Sequence, residues 1–456
     1  MSPDTPRNVL FLLADQFRHD ALGLSSGGLV RTPHLDALAK RGVRYTRAYT
    51  PLPVCAPARQ ALLTGRHPDA DGAYWNYGFF PTPPLYPCQS WPEQLAGRGS
   101  QGGYVGKWNV SPAAGPEGFG FAHVVGEDAY RALIGQKYPG LRLPPDWMGC
   151  ENPIALEDSK THFLAGQALD FVRSLHGGTP WHLWLDFGMP HLPCQPSAPF
   201  SRMYDPGSIP PWPGYDDPFI HKPFCHEQQT WNWRLEDMAW EDMARQVARY
   251  YGMISQLDDA IGRLLGGLAG MGQLEDTLVV FTSDHGDLCG NHRMFDKHYV
   301  LYDDIVRVPL ILAGPGIPAG ESDALVSNCL DLPLTLSSLL ALTPPRNAHG
   351  LPLPLHGESP RAWITASSNG QQFGMFNARM ITDGRVKYVW NLTDVDELYE
   401  LPTDPGEKDN RIDDPALRDT LKTLRRLLYD DLVSHEDPFV RGEWVAPQLL
   451  EGRKCR

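Results

Sequence analysis

A cysteine and an arginine that could act together lie four residues apart near the start of the chain. Cys55 precedes a short apolar run that contains Pro57, and Arg59 follows one helical turn later. Because proline is favoured in the first helical turn, we expect Cys55 at or just before a helix N-terminus, with Arg59 on the same face. The helix end and the guanidinium would lower the pKa of the thiol below its free value of about 8.5. The same pattern would also fit a buried structural thiol.

Two aspartates follow apolar runs that are typical of strands buried on both faces of a parallel sheet. One run ends at Asp15, and the other ends at Asp284 and His285. Open α/β sheets bind ligands at the carboxyl ends of their strands, so we expect these side chains at one sheet edge. Oxygen ligands with a single nitrogen suit a divalent cation, Ca²⁺ first and Mn²⁺ second. Either aspartate alone could be a turn residue, but the two beside Cys55 predict a metal site.

The elements that must position these residues form an α/β pattern. We predict strands at 8–14, 103–109, 181–187, 276–283 and 308–313 and helices at 33–41, 91–97, 162–175 and 241–268. Short strands (361–366, 378–382 and 386–391) and a helix near 415–433 follow. These elements predict a large mixed, mostly parallel sheet sandwiched by helices in residues 1–355. A smaller C-terminal α+β subdomain with an antiparallel sheet, 356–456, is expected to pack on it.

Several segments, in this order along the chain, resemble the type I, formylglycine-dependent sulfatases of the alkaline phosphatase superfamily. The resemblance lies in Asn8–Asp15, in Cys55-Ala56-Pro57-Ala58-Arg59 through Thr64-Gly65-Arg66, in Gly106-Lys107-Trp108, in Thr282–Gly286 and in Glu397–Glu407. It covers nearly the whole chain and implies an alkaline-phosphatase-like fold. The co-occurrence of these motifs is far more specific than any one of them.

The resemblance implies a modified residue and a metal centre. In this family a formylglycine-generating maturation enzyme oxidises the cysteine, here Cys55, and the hydrated aldehyde is the nucleophile. One divalent cation would be held by Asp15, Gln16, Asp284 and His285 together with residue 55. The implied reaction is hydrolysis of a sulfate monoester, in which a hydroxyl of the hydrate attacks sulfur and the second hydroxyl later expels sulfate.

The resemblance also implies roles for further residues. Arg59 would orient the hydrate, and Lys107 and Lys297 would contact the sulfate oxygens. His191 or Lys297 would protonate the departing oxygen. Many sulfatases have a histidine at the position of Asn109, and asparagine can donate a hydrogen bond but cannot shuttle a proton near neutral pH. The base for the release step therefore stays open.

Two further departures from the family pattern affect the metal and the substrate. Many sulfatases have a second aspartate where this chain has Gln16, and asparagine where it has His285. Both changes resemble the choline-sulfatase and phosphonate monoester hydrolase branch, and they make Mn²⁺ more plausible than in a typical sulfatase. The first alternative function is a phosphonate monoester or phosphodiester hydrolase, because those substrates also present a singly charged tetrahedral centre. The second is a non-catalytic metal-binding protein of the same fold.

Composition limits the partners. A formal charge of −14 argues against nucleic acid or an anionic membrane as a partner, and no apolar run is long enough to span a bilayer. The eight cysteines are scattered and no secretory leader is visible, which favours a cytoplasmic protein with reduced thiols. We expect a small-molecule or saccharide sulfate ester as substrate. The Trp- and Pro-rich segment 194–240 could contact that substrate or form a homo-oligomer.

Overall fold

The computed structural model describes residues 5–76, 85–144, 146–176, 178–297, 300–356, 359–370 and 374–454. In chain order the strands and helices are β1 (Asn8–Asp15), α1 (Pro33–Arg41), β2 (Val43–Tyr49), α2 (Cys55–Thr64), α3 (Trp91–Gly97), β3 (Gln101–Gly106), β4 (His123–Gly126), α4 (Glu127–Lys137), α5 (Lys160–Ser174), β5 (Trp181–Pro190), α6 (Phe224–Trp233), α7 (Trp240–Gly270), β6 (Thr277–Ser283), α8 (Asp303–Val306), β7 (Arg307–Ala313), β8 (Gly320–Ser327), α9 (Asn328–Leu339), β9 (Ile364–Ser368), β10 (Ala378–Thr382), β11 (Val386–Asn391), β12 (Glu397–Glu400), α10 (Arg418–Ser434) and α11 (Val445–Glu451).

The larger sheet has eight strands in the order β4-β3-β5-β1-β6-β7-β2-β8. Strand β7 is antiparallel to both of its neighbours, and the other pairs are parallel. The predicted mixed, mostly parallel sheet is therefore confirmed. Strands β3, β5, β1 and β6 are adjacent and parallel, so their carboxyl ends lie at the same edge of the sheet.

Helices cover both faces of this sheet, which explains why its central strands are continuously apolar. Every residue of β1 is buried. Leu10 and Leu12 pack into one core with helices α1, α5 and α7. Phe11 and Leu13 point to the other face and pack into a second core with α2, α3 and α9. The sheet is thus sandwiched by helices, as predicted.

The smaller sheet is antiparallel and has the order β12-β11-β10-β9. One face is covered by α10, where Leu428 packs in the same cluster as Trp390. Met380 on the other face packs in a cluster with Tyr302, which precedes α8. An α+β arrangement near the C-terminus is therefore present, while the division of the chain at residue 355 stays a prediction.

The sequence pattern missed several elements. Strand β4 and helix α4 lie within residues 111–160, where no periodicity is visible. Helix α4 has no fully buried residue, so its apolar positions give only a weak helical pattern. Strand β2 was missed because Arg44 and Arg47 interrupt its apolar pattern. Strand β3 ends at Gly106, three residues before the predicted end, because the backbone turns there with a φ of 114°.

Two findings concern the chain as a whole. None of the helices in the described part of the chain combines the length and the apolar character needed to cross a bilayer. The seven cysteines among the described residues are free thiols, as expected for a chain without a disulfide framework. Cys455 lies outside the described residues.

Candidate active site

The two aspartates predicted at strand ends meet at one edge of the large sheet. Asp15 is the last residue of β1, and Asp284 directly follows β6. The two strands pair in parallel with Ala14 opposite Ser283, so the next residues are neighbours in space. Asp15, Asp284 and His285 are completely buried. The sheet register therefore brings together the carboxylates and the imidazole that the sequence analysis selected.

Cys55 completes this cluster from the first position of α2. Its Sγ lies 3.3 Å from His285 Nε2 and 3.8 Å from Asp15 Oδ1. Burial and the Asp15 carboxylate raise the pKa of the thiol. Lys107, Lys297 and His285 lower it by more, so the net pKa lies below the ordinary value. The direction is the one expected from the sequence, although two lysines supply much of the effect.

The ligand-type atoms of Asp15, Cys55, Asp284 and His285 all lie within 4.8 Å of one another. His285 Nε2 lies 3.7 Å from the Oδ1 atoms of both Asp15 and Asp284. Its other nitrogen, Nδ1, lies 2.9 Å from the carbonyl oxygen of Gly286 and donates to it. When the ring is neutral, that hydrogen bond holds the proton on Nδ1 and leaves Nε2 with a free lone pair, as is usual for metal-binding histidines.

Arg59 lies behind the cluster and holds its carboxylates in place. Its Nε and Nη2 lie 3.1 Å from the Oδ2 atoms of Asp284 and Asp15 respectively. Each carboxylate therefore turns one oxygen to the guanidinium and the other toward Cys55 and His285. The guanidinium is completely buried, so these charge-assisted bonds are protected from water.

Sequence analysis missed Asp186, the third carboxylate beside Arg59. Its Oδ2 lies 3.2 Å from Arg59 Nη1, and the side chain is fully buried on β5. Burial raises the pKa of Asp186 to about 7, although Arg59 opposes the shift. A signal was available in the sequence, because Asp186 is the only charged residue in the apolar run Trp181–Phe187.

Gln16 lies beside the cluster in an unusual backbone conformation. Its φ is 72°, in the left-handed region that few residues other than glycine adopt. The side-chain nitrogen donates to Asp287, and Oε1 accepts a hydrogen bond from Lys297 Nζ at 3.1 Å. The backbone N–H donates to Asp284 Oδ1 at 3.2 Å. Gln16 therefore links the carboxylate cluster to Lys297.

The two predicted lysines approach the cluster from different segments, Lys107 after β3 and Lys297 between β6 and α8. Lys107 follows β3 and forms an ion pair with Asp15 Oδ2, and its Nζ lies 3.9 Å from Cys55 Sγ. A Cβ at Gly106 would overlap the carbonyl oxygen of Asp186, so only glycine permits the turn that precedes Lys107. Asn109 is half-buried two residues further on.

His191 and Lys297 form a pair at the mouth of the site. His191 follows Pro190, which lies opposite Asp15 in the sheet register. His191 Nε2 is 2.9 Å from Lys297 Nζ, and Nδ1 is 2.6 Å from the carbonyl oxygen of Leu192. Burial and the Lys297 charge lower the pKa of His191 to about 4, so the ring is neutral. The ring donates a hydrogen bond through Nδ1 and accepts a hydrogen bond from Lys297 at Nε2.

Asn76 and a large cavity complete the surroundings. Asn76 Oδ1 accepts the backbone N–H of Ala56 at 3.0 Å and so caps the helix that begins with Cys55. The cavity, of about 760 Å³, is lined by Lys107 and His191 and continues along α4. The site thus combines a thiol at a helix start, buried carboxylates, an imidazole and two lysines beside a cavity, an arrangement suited to hydrolysis of an anionic ester.

This fold and site are those of a hydrolase of the alkaline phosphatase superfamily. The model of the sulfatase family matches residues 7–342. A second model, described as the C-terminal part of N-sulphoglucosamine sulphohydrolase, matches residues 290–433. The chain belongs to the sulfatase family.

Similar proteins agree with this assignment over nearly the full length. An arylsulfatase of Clostridium perfringens is 26% identical, over 98% of this chain and 97% of its own. A choline-sulfatase of Rhizobium meliloti is 27% identical, over 90% of this chain and 83% of its own. The solved structure of the phosphonate monoester hydrolase of Agrobacterium radiobacter matches with a TM-score of 0.80 and 25% identity, covering 94% of this chain and 96% of that one.

Proposed function

We propose that this protein hydrolyses sulfate monoesters, using a formylglycine formed from Cys55 and one divalent cation. The observation that carries the proposal is the convergence of Cys55 Sγ, His285 Nε2 and the inner carboxylate oxygens on one buried point. A small-molecule or saccharide sulfate ester is the proposed substrate class, and a formylglycine-generating enzyme the proposed maturation partner.

The residues present fit a divalent cation. Asp15 and Asp284 place two carboxylates a few ångströms apart in a fully buried position, and such carboxylates are stable when a cation lies between them. Asp15, Gln16, Asp284 and His285 would hold the cation together with residue 55. Hard oxygen donors favour Ca²⁺, and the imidazole makes Mn²⁺ the alternative. The cation would supply a Lewis acid that polarises a sulfate oxygen and acidifies a hydroxyl beside it.

The position of Cys55 suits the proposed nucleophile. Sγ marks the place that the oxygens of a hydrated formylglycine would occupy. Such a hydrate would supply one hydroxyl for attack at sulfur and a second for the later release of sulfate. Lys107 Nζ lies 3.9 Å from Sγ on one side. Arg59 aligns the carboxylates behind it, so the surroundings of position 55 are already ordered.

Lys107 and Lys297 would offset the charge on the sulfate oxygens in the transition state. Lys107 is held by Asp15, and Lys297 is held by Gln16 and by Asp296 Oδ1 at 3.1 Å. Both ammonium groups are therefore fixed before substrate arrives. Preorganised cations of this kind stabilise developing negative charge without reorganisation during the reaction.

The Lys297–His191 pair would deliver the proton to the departing oxygen. Lys297 donates the proton of its hydrogen bond to His191 Nε2, and His191 lines the cavity. Transfer of that proton to the alcohol oxygen as the S–O bond breaks is general acid catalysis. Asn109 would contribute a hydrogen bond rather than a proton.

A phosphonate monoester or phosphodiester is the second candidate substrate. The observation that favours it is the structural match to the Agrobacterium radiobacter phosphonate monoester hydrolase together with Gln16 and His285 at the site. Parallel kcat/KM measurements on phenyl sulfate and on phenyl phenylphosphonate separate the two candidates.

Mass spectrometry of the peptide that contains residue 55 tests the nucleophile. Conversion of the thiol to the aldehyde removes about 18 Da, and Cys55→Ser should give neither that loss nor multiple turnovers. An unmodified thiol in active protein from its native host would refute the proposed nucleophile. An unmodified thiol without activity would favour a non-catalytic metal-binding protein.

A further inference from the structure

The cavity beside the active site has the size of a binding site for a whole small molecule. Its volume of about 760 Å³ falls within the range of ligand pockets. Lys107 and His191 line the end next to Cys55, so an alcohol joined to a sulfate at the site would enter this space. The lining of the cavity therefore selects the alcohol.

One wall of the cavity is a single face of helix α4. Glu127, Tyr130 and Ile134 follow one another at intervals of three or four residues, which places them on one side of the helix, and Tyr138 directly follows its last residue. At a rise of about 1.5 Å per residue, the wall from Glu127 to Tyr138 is about 16 Å long. An extended group could lie along its whole length.

The rest of the lining is largely apolar. Side chains from the segment after α4, from the loop after β5 and from α7 face the same space; the apolar ones are Leu141, Leu143, Ile154, Met189, Leu192 and Met253. Asn152 and Gln195 are the amide side chains of the lining, so a sugar placed against the six apolar side chains would leave several of its hydroxyl groups without hydrogen-bond partners. Such desolvation costs free energy, whereas an apolar group gains it.

The charged residues of the wall already have partners. Lys107 pairs with Asp15, Lys160 pairs with Glu127, and Arg131 pairs with Asp128. Lys160 Nζ would lie 3.3 Å from a Cβ at Gly188, and that same Cβ would lie 3.6 Å from the Lys107 side chain. Lys160 and Glu127 therefore lie near the reacting end. Further along α4, the wall offers Ile134 and Tyr138 rather than a site for a second anionic group.

We propose that the cavity binds the alcohol part of the substrate and selects an uncharged, largely apolar aryl or alkyl group. This inference rests on the proposed sulfate ester hydrolysis and names its substrate class. The Trp-rich segment 194–240, which the sequence made a candidate for substrate contact, includes Trp212 packed at 4.0 Å from the Arg18 guanidinium. The substrate wall comes chiefly from α4 and the segment after it.

A pair of esters and a pair of variants test the inference on the mature, metal-loaded protein. Phenyl sulfate and 4-octylphenyl sulfate share the reacting ester and differ in the apolar tail. We expect kcat/KM to be about tenfold or more higher for the octylphenyl ester, through KM, because several methylene groups become buried. N-acetylglucosamine 6-sulfate should be a poorer substrate than either.

Ile134→Asn and Leu133→Asn make a matched pair on α4. Ile134 lines the cavity, whereas its neighbour Leu133 is absent from the lining. Ile134→Asn should raise KM for 4-octylphenyl sulfate about tenfold and leave phenyl sulfate unchanged. Leu133→Asn should leave both esters unchanged, which controls for the folding of α4.

The outcomes distinguish this inference from the proposed function. Cleavage of phenyl sulfate with no gain from the octyl tail, or with higher kcat/KM for the sugar sulfate, would overturn the apolar selectivity and leave sulfate hydrolysis intact. Loss of the tail preference in Leu133→Asn as much as in Ile134→Asn would also overturn it. If protein with a verified aldehyde at residue 55 cleaves no sulfate ester, the proposed function fails and the inference fails with it.

Discussion

Substitution of His191 by glutamine tests whether the Lys297–His191 pair delivers a proton. The two side chains are 2.9 Å apart, and Lys297 is also held by Gln16 at 3.1 Å. Glutamine keeps a polar side chain of similar reach, but it cannot accept the lysine proton as an imidazole nitrogen does or pass a proton on. The variant should therefore bind the sulfate group and lose only the assistance to the departing oxygen.

The expected size of the effect depends on the leaving group. General acid catalysis typically contributes about 10²–10⁴-fold, and it matters only when the departing oxygen is basic. We expect His191→Gln to lower kcat for an alkyl sulfate by about 10²-fold or more, and kcat for 4-nitrophenyl sulfate by less than about tenfold. Lys297→Met should show the same dependence on the leaving group and an added loss common to both esters, because its ammonium also offsets charge on the sulfate oxygens. The double variant should lose little more than Lys297→Met alone, because the two side chains act as one unit in proton delivery.

His176→Gln is the matched control for this experiment. His176 is exposed and precedes β5, whereas His191 follows it, so a strand of ten residues separates the two positions. The control should retain wild-type kcat for both esters. An equal loss in His191→Gln for the alkyl and the nitrophenyl ester would refute proton delivery, and it would assign the pair to sulfate binding alone.

Three further perturbations follow from the geometry. A chelator should abolish hydrolysis and lower the thermal midpoint of unfolding, because a cation that binds only the folded state stabilises it. Recovery of activity with added Ca²⁺ or Mn²⁺ identifies the metal. Full activity of protein shown to be metal-free would contradict the proposed metal site. Gly106→Ala should lower both kcat/KM and the thermal midpoint, because the added Cβ would overlap the carbonyl oxygen of Asp186. Gly126→Ala is the control: Gly126 pairs with Gly106 in the sheet, and a Cβ there meets open space, so neither quantity should change. Burial raises the pKa of Asp258 to about 7, so its contribution to stability is full below pH about 4 and is lost as pH rises through 7. The thermal midpoint of Asp258→Asn should therefore rise relative to wild type between pH 5 and pH 8, and a constant difference would refute this assignment.

The parts of the fold and site that the sequence predicted share one physical feature. Runs such as Asn8–Asp15 and Thr277–Ser283 are buried on both faces, so their apolar pattern alone identifies them as central strands. In the structure β1 and β6 are also adjacent and parallel, so the residues at their ends meet. The positions of Asp15 and Asp284 therefore followed from local pattern and sheet geometry.

The cavity wall could not be predicted in the same way. Helix α4 lies at the surface with its side chains half-buried or exposed, and Tyr130 and Ile134 line the cavity. Hydrophobic periodicity in a sequence arises from burial against other elements of the fold. A helix face that borders a cavity therefore gives only a weak hydrophobic pattern. For that reason the sequence directed attention to the Trp-rich segment 194–240.

Asp186 shows how burial and function are connected at this site. A carboxylate whose pKa is about 7 is costly to ionise inside the fold, so packing alone does not explain its position. Its 3.2 Å contact with Arg59 Nη1 gives the guanidinium a third carboxylate partner beside Asp15 and Asp284. Asp186 thereby helps to hold Arg59 in place. The oxygens of Asp15 and Asp284 that do not contact Arg59 are turned toward residue 55. The strand that carries Asp186 thus orders the carboxylate cluster through Arg59 and does not contribute an atom to the group formed by Asp15, Cys55, Asp284 and His285.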